Sequence, residues 1–344
     1  GAVNTSGEVI VGQLADDLGK VSVSGDGSSF TCGDLVIGDD GQGAFEIGDG
    51  AHVDSTTGTV GRGTLGNLPA GQTPGSGVVT IAAGQLASAQ WHVTGDLSVG
   101  TDNATGAIIL QATLIGPFIF QGATLTVGGT LTVGKNGAIS GNGTLAAANR
   151  VINGGFISPG LSPGMITIEG DYEQTSDGVL KIEVGGVDAG QFDVLKISGK
   201  ATLAGRVDLQ FINGFVPKPG DNVNFVQVSG QITGKLTGDT LIDVPGNSSA
   251  GSGDTATSQP ATSQPVAQAV VKWEVTPDGT CRLTVTDVTA VNQAALNAPA
   301  IPGCSAGLCG AGVVPIVPST LVGLLALRPW LRRRTTPGDT ARRT

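Results

Sequence analysis

Over residues 1–153 short alternating apolar runs recur, and several end alike. Val9-Ile10-Val11-Gly12, Leu35-Val36-Ile37-Gly38, Leu97-Ser98-Val99-Gly100 and Leu131-Thr132-Val133-Gly134 each close on a hydrophobic-Gly pair, with Thr59-Val60-Gly61 as a weaker copy. A polar turn usually follows, then a second alternating run: Lys20-Val21-Ser22-Val23, Ala44-Phe45-Glu46-Ile47, Val78-Val79-Thr80-Ile81 or Ala107-Ile108-Ile109-Leu110. Alternation places every second side chain on one face, so each run predicts a half-buried strand. Two units match closely, Gly33-Asp34-Leu35-Val36-Ile37-Gly38 and Gly95-Asp96-Leu97-Ser98-Val99-Gly100, each preceded by an aromatic, Phe30 or Trp91. Their irregular period of about 24 to 38 residues is in the range of stacked repeats. One unit has too few apolar side chains to bury them alone and must stack on a neighbour that repeats the same inward positions. Pairing between successive coils satisfies the backbone, and Gly permits the corners. The predicted fold is all-β, a parallel β-helix or solenoid.

From residue 154 the texture changes. Two Pro-Gly turns stand in a row at Ser158-Pro159-Gly160-Leu161-Ser162-Pro163-Gly164, and longer alternating strands follow: Met165 to Glu169, Val179 to Val184, Phe192 to Ile197, Ala201 to Leu209 and Asn222 to Val228. Residues 246–268 are rich in Ser, Thr, Gly, Gln and Pro, with Ala-Thr-Ser-Gln-Pro twice in succession, and predict a flexible insertion. Two further strands, Val270 to Thr276 and Arg282 to Val288, joined at Pro277-Asp278-Gly279, complete a β cap. The organisation expected is therefore solenoid repeats over 1–153, terminal coils and cap over 154–289, a stem over 290–310, an apolar segment over 311–327 and an Arg-rich tail over 328–344.

Composition sharpens this picture. Gly supplies 57 of 344 residues and aromatics only 4%, so packing falls to small and β-branched side chains. Charge is divided: residues 1–327 carry 12 Lys/Arg against 27 Asp/Glu, and residues 328–344 carry 6 against 1. An acidic body lacks the basic footprint that nucleic acid requires, so no nucleic-acid partner is expected.

The run from Ile157 through Val228, with its SPG-x-SPG turn followed by Gly170-Asp171-Tyr172-Glu173-Gln174 and Phe192-Asp193-Val194-Leu195, resembles the C-terminal part of autotransporter-like passenger proteins with β-strand repeats. The upstream Gly-Asp-Leu units resemble the repeats that precede it in such proteins, and together the resemblance covers roughly residues 1–290. It implies a right-handed parallel β-helix whose terminal stretch caps the fold and assists folding. Autotransporters end in an outer-membrane barrel of about a dozen strands, for which this chain has no room.

Residues 311–327, AGVVPIVPSTLVGLLAL, carry no charge and precede Arg328 and Arg332-Arg333-Arg334. Their length is at the short edge of a membrane-spanning helix, and the Arg cluster fits a cytoplasmic end. Cys304 and Cys309, the apolar run and the Arg cluster together resemble the tripartite C-terminal sorting signals of exported bacterial proteins. That resemblance implies an envelope sorting protease as partner, with permanent anchoring as the alternative; no Pro-Glu-Pro motif precedes the span. For the two cysteines a local disulfide, lipid attachment and free thiols are all open.

Right-handed β-helices include pectin lyases and galacturonases, which gather Asp, Arg or Lys on one face. Here the carboxylates Asp16-Asp17, Asp39-Asp40, Asp49 and Asp102 fall in turns, where Asp bonds the backbone. Asp34 and Asp96 share a repeat position, and His52 with Asp54 is an i, i+2 pair on one strand face. Gly38-Asp39-Asp40-Gly41-Gln42-Gly43 resembles a calcium-binding nonapeptide turn but occurs once. No catalytic residue, cofactor or metal is expected, and the leading reading is an exported structural spacer or adhesin-like surface protein. The alternative is a carbohydrate-active enzyme or glycan-binding module; the partners that follow are the membrane, through 311–327, and a surface glycan or protein ligand.

Overall fold

The computed structural model describes residues 1–63, 75–83, 88–111, 113–116, 119–121, 123–160, 162–245 and 265–290. These residues form an all-β structure without a helix among them, dominated by three parallel ladders. The chain visits the ladders in the same order throughout, and each holds nine strand segments.

Inward side chains of the first ladder stack in one column. Phe30 pairs with Val53, Val53 with Trp91, and then Leu125, Leu145, Ile168, Ile197 and Val228 follow in register. The second ladder collects all the hydrophobic-Gly units: Val11, Ile37, Val60, Val99 and Val133 are successive partners. The third ladder collects the second runs, with Val21, Phe45, Val79, Ile108, Ile139, Ile157, Leu180 and Val207 in line. From Phe30 onward most of these side chains are buried in one continuous core.

Two sets of glycines make the corner between the second and third ladders. Gly12, Gly38, Gly61 and Gly100 take positive φ, a region that L side chains rarely adopt. Opposite them Gly43, Gly77, Gly106 and Gly137 stack in register, and a Cβ on Gly106 would fall 2.0 Å from the Val60 carbonyl oxygen. The high Gly content follows from this close approach of backbones on successive tiers.

The expected run from Ala201 to Leu209 is two strands, Ala201–Leu203 and Arg206–Phe211. Gly205, at φ 65°, turns the chain from the second ladder to the third between them. Phe192 precedes the strand Val194–Ile197 and makes only an isolated bridge to Val184. At the C-terminal end the direction reverses: Thr280–Ala290 pairs antiparallel with Asn222–Val228 and with Pro265–Thr276, which pairs in turn with Leu241–Pro245. The strand Pro265–Thr276 thus begins inside the segment predicted as insertion. Among the described residues no helix is long and apolar enough to cross a membrane, and the segment 311–327 lies outside them.

Candidate functional site

Four clusters of polar side chains distinguish themselves from the repeating surface. The first is on the outer face of the first ladder. His52 and Asp54 belong to the strand His52–Ser55, and Asp54 is the register partner of His92 on Ala89–Val93. Asp54 Oδ1 lies 3.1 Å from His52 Nε2 and 3.3 Å from His92 Nδ1. The sequence placed the first histidine beside Asp54; the second arrives only through stacking. All three side chains are partly open to solvent, and no group of three ligating side chains among the described residues is arranged to hold a metal ion.

The second cluster is a staple across three tiers. Arg62 donates through Nε and a terminal nitrogen to both oxygens of Asp39, at 2.9 and 2.8 Å, and through its other terminal nitrogen to Glu8 at 2.7 Å. Asp39 is only 5% exposed, so a forked guanidinium is the partner its carboxylate requires. The hydrogen bond to Asp39 is the main reason that the Arg62 pKa rises. The carboxylate of Asp39 in the calcium-like turn is therefore committed to Arg62. Asp34 accepts from the Thr57 hydroxyl at 2.7 Å, and Asp96 accepts from the Thr130 N–H at 2.7 Å. Although the two share a repeat position, the Thr57 tier lies between them.

The third cluster explains the SPG-x-SPG turn. Asp193 is fully buried, and its two oxygens accept the N–H groups of Gly164 and Glu183, each at 2.8 Å. Burial pushes its carboxyl up to about 7, against the pull of those two donors; the Glu183 charge adds to the rise. A Cβ on Gly160 would meet Asp193 Oδ1 at 2.4 Å, and one on Gly164 would meet Asn142 Oδ1 at 1.8 Å. Each glycine of the motif thus makes room for a buried polar side chain. The signal in the sequence was an acid inside the apolar run Phe192-Asp193-Val194-Leu195.

The fourth is a cleft of about 630 Å³ where the third ladder meets the cap. Pairing along Arg206–Phe211 reaches only Val207 with Gly238, after which Leu241–Pro245 diverges to join the cap. Trp273 packs at the divergence: its indole N–H donates to the Asp239 carbonyl at 3.0 Å, its ring meets Phe225 edge-on, and a Cβ on Gly238 would strike it at 2.8 Å. Lys181, Asp208, Gln210, Asp243 and Gln268 line the opening with it. Nothing in the sequence pattern pointed to this cleft, because its walls lie on four separate strands.

Both described thiols, Cys32 and Cys281, are buried and unpaired, and burial is the main cause that pushes them up to about 11 and about 12. Such thiols are poor nucleophiles at neutral pH. Cys304, Cys309, Arg328, Arg332, Arg333 and Arg334 lie outside the described residues. No protein-family model matches the chain, and comparison with curated proteins finds no match.

Proposed function

We propose that this chain is an exported, non-enzymatic bacterial surface protein, an autotransporter-like passenger whose body is a right-handed parallel β-helix serving as spacer or adhesin-like stalk. The observation that supports it most is the recurrence of three parallel ladders in one order, with a single apolar core running between them. Parallel strands joined by a crossover within one sheet wind right-handed almost without exception, which favours that hand. At roughly 4.8 Å per tier, nine tiers give a stack of about 40 Å. The acidic body followed by an apolar run and an Arg cluster supports export with a C-terminal anchor or a cleaved sorting signal.

The test is fractionation of the native host with mass spectrometry of the mature C-terminus. Surface or medium material ending near Cys304–Cys309 is expected for a sorted protein. An intact chain retained in the envelope with its Arg tail would replace sorting by permanent anchoring, and a full-length cytoplasmic protein would overturn export altogether.

A further inference from the structure

We infer that the cleft between the third ladder and the cap binds a neutral oligosaccharide. The inference concerns this cleft alone and stands separately from the question of export. Along Arg206–Phe211 and Leu241–Pro245 burial alternates, so Asp208, Gln210 and Asp243 project away from the core into the space left where pairing stops. Gln268 donates to Asp243 Oδ1 at 3.0 Å and so orients that carboxylate, leaving the amide carbonyl and the second carboxylate oxygen to a ligand. Gln210 makes no side-chain hydrogen bond among the described residues, and its amide both donates and accepts.

Sugar hydroxyls also both donate and accept, which matches a wall of amides and carboxylates better than it matches an apolar ligand. Asp208, Asp239 and Asp243 outnumber Lys181, whose ammonium already lies 3.3 Å from Glu183, so phosphate, sulfate and uronate ligands are disfavoured. The Trp273 indole, fixed by its bond to Asp239 and by Phe225, adds a rigid apolar surface of the kind that C–H-rich sugar faces cover. The volume is in the range of small-molecule sites. The adjoining strand edges, Asp208 to Phe211 and Leu241 to Pro245, each pair on one side only among the described residues and would suit an added peptide strand. Strand addition, however, reads alternate side chains in pockets, and here the lining groups are polar.

Isothermal titration of the full chain with maltotriose, cellotriose, laminaritriose and chitotriose tests the inference. At least one is expected to bind with Kd between about 10 μM and 1 mM, and Gln210→Ala and Asp243→Ala are each expected to weaken it about tenfold or more. Thermal unfolding of both variants verifies that the fold survives; Asp208→Asn, on an exposed side chain, is the second probe should Asp243→Ala unfold. Absence of binding to all four sugars, binding that the folded variants leave unchanged, preference for a sulfated or uronic trisaccharide, or capture of an extended peptide in place of sugar would each overturn it.

Discussion

One inward column of the second ladder divides the molecule into two regimes. From Val11 through Ile37, Val60 and Val99 to Val133 it is wholly apolar; the next two register partners are Asn153 and Gln174. These amides are as buried as the valines above them, and Tyr172 beside them is buried too. Asn153 donates to the Tyr172 hydroxyl at 3.2 Å and to the Val179 carbonyl, and accepts the Gly155 N–H. Tyr172 donates to Gln174 at 2.8 Å, and Gln174 donates to the carbonyls of Gly178 and Arg206. Burial pushes the Tyr172 phenol well above its ordinary value, so it remains a donor throughout the neutral range. The upper column is held by area removed from water, the lower by a closed set of hydrogen bonds to the corners of neighbouring tiers. A stack can exchange one for the other only where every polar atom finds a partner.

Substitutions can break this comparison. The glycine corner continues through both regimes, so Gly106→Ala and Gly178→Ala should be similarly severe. A Cβ would fall 2.0 Å from the Val60 carbonyl oxygen in the first and 2.3 Å from the Asn153 carbonyl oxygen in the second. A loss of about 4 kcal/mol or more is expected for each by denaturant unfolding. Gly48→Ala, at the far end of the strand Gln42–Gly48 with nothing closer than 3.8 Å, should remain within about 0.5 kcal/mol of the parent.

Val99→Asn places an amide in the apolar regime without the partners that Asn153 has, and a loss of about 3 to 4 kcal/mol is expected. The converse, Asn153→Val, leaves the Gly155 N–H and the Val179 carbonyl without those bonds and should cost about 2 to 3 kcal/mol. A stabilised Asn153→Val protein in the same assay would show that the polar column is dispensable.

A further effect concerns pH. Asp193 binds its proton more tightly folded than unfolded, its pKa rising from 3.8 to about 7. Its contribution therefore favours the folded state most at low pH and is lost as pH rises through that interval. Asp193→Asn should flatten this component of the stability profile, measured as the unfolding midpoint at pH 4, 5.5 and 7.5.

Much of this architecture was legible along the chain. The hydrophobic-Gly units are the first five strands of the second ladder and the alternating runs after them the first four of the third, because apolar alternation and Gly corners write themselves locally. The first ladder was legible past residue 154, in Met165 to Glu169, Phe192 to Ile197 and Asn222 to Val228, and at His52 with Asp54; upstream, Ala2–Asn4 and Ser29–Thr31 are three residues long, too short for alternation to stand out. Phe30 and Trp91 were a further visible trace, and they share one column with Val53 between them. The run from Ala201 to Leu209 hid a corner because Ala204-Gly205 interrupts it without a polar residue. The Arg62 staple and the cleft were illegible for a different reason. Each joins residues from several tiers, and the irregular period conceals which positions stack.

The register itself is open to a direct measurement. Ser98 and Thr132 are partners on adjacent tiers of the second ladder, both turned away from the core. Neighbouring strands about 4.8 Å apart bring such a pair within disulfide range, whereas a diagonal pair two residues off register lies beyond it. Under mild oxidation the Ser98→Cys, Thr132→Cys protein should cross-link nearly completely, while Ser98→Cys with Thr130→Cys should remain largely reduced. Equal cross-linking of the two pairs, or preference for the second, would contradict the parallel stack on which the account rests.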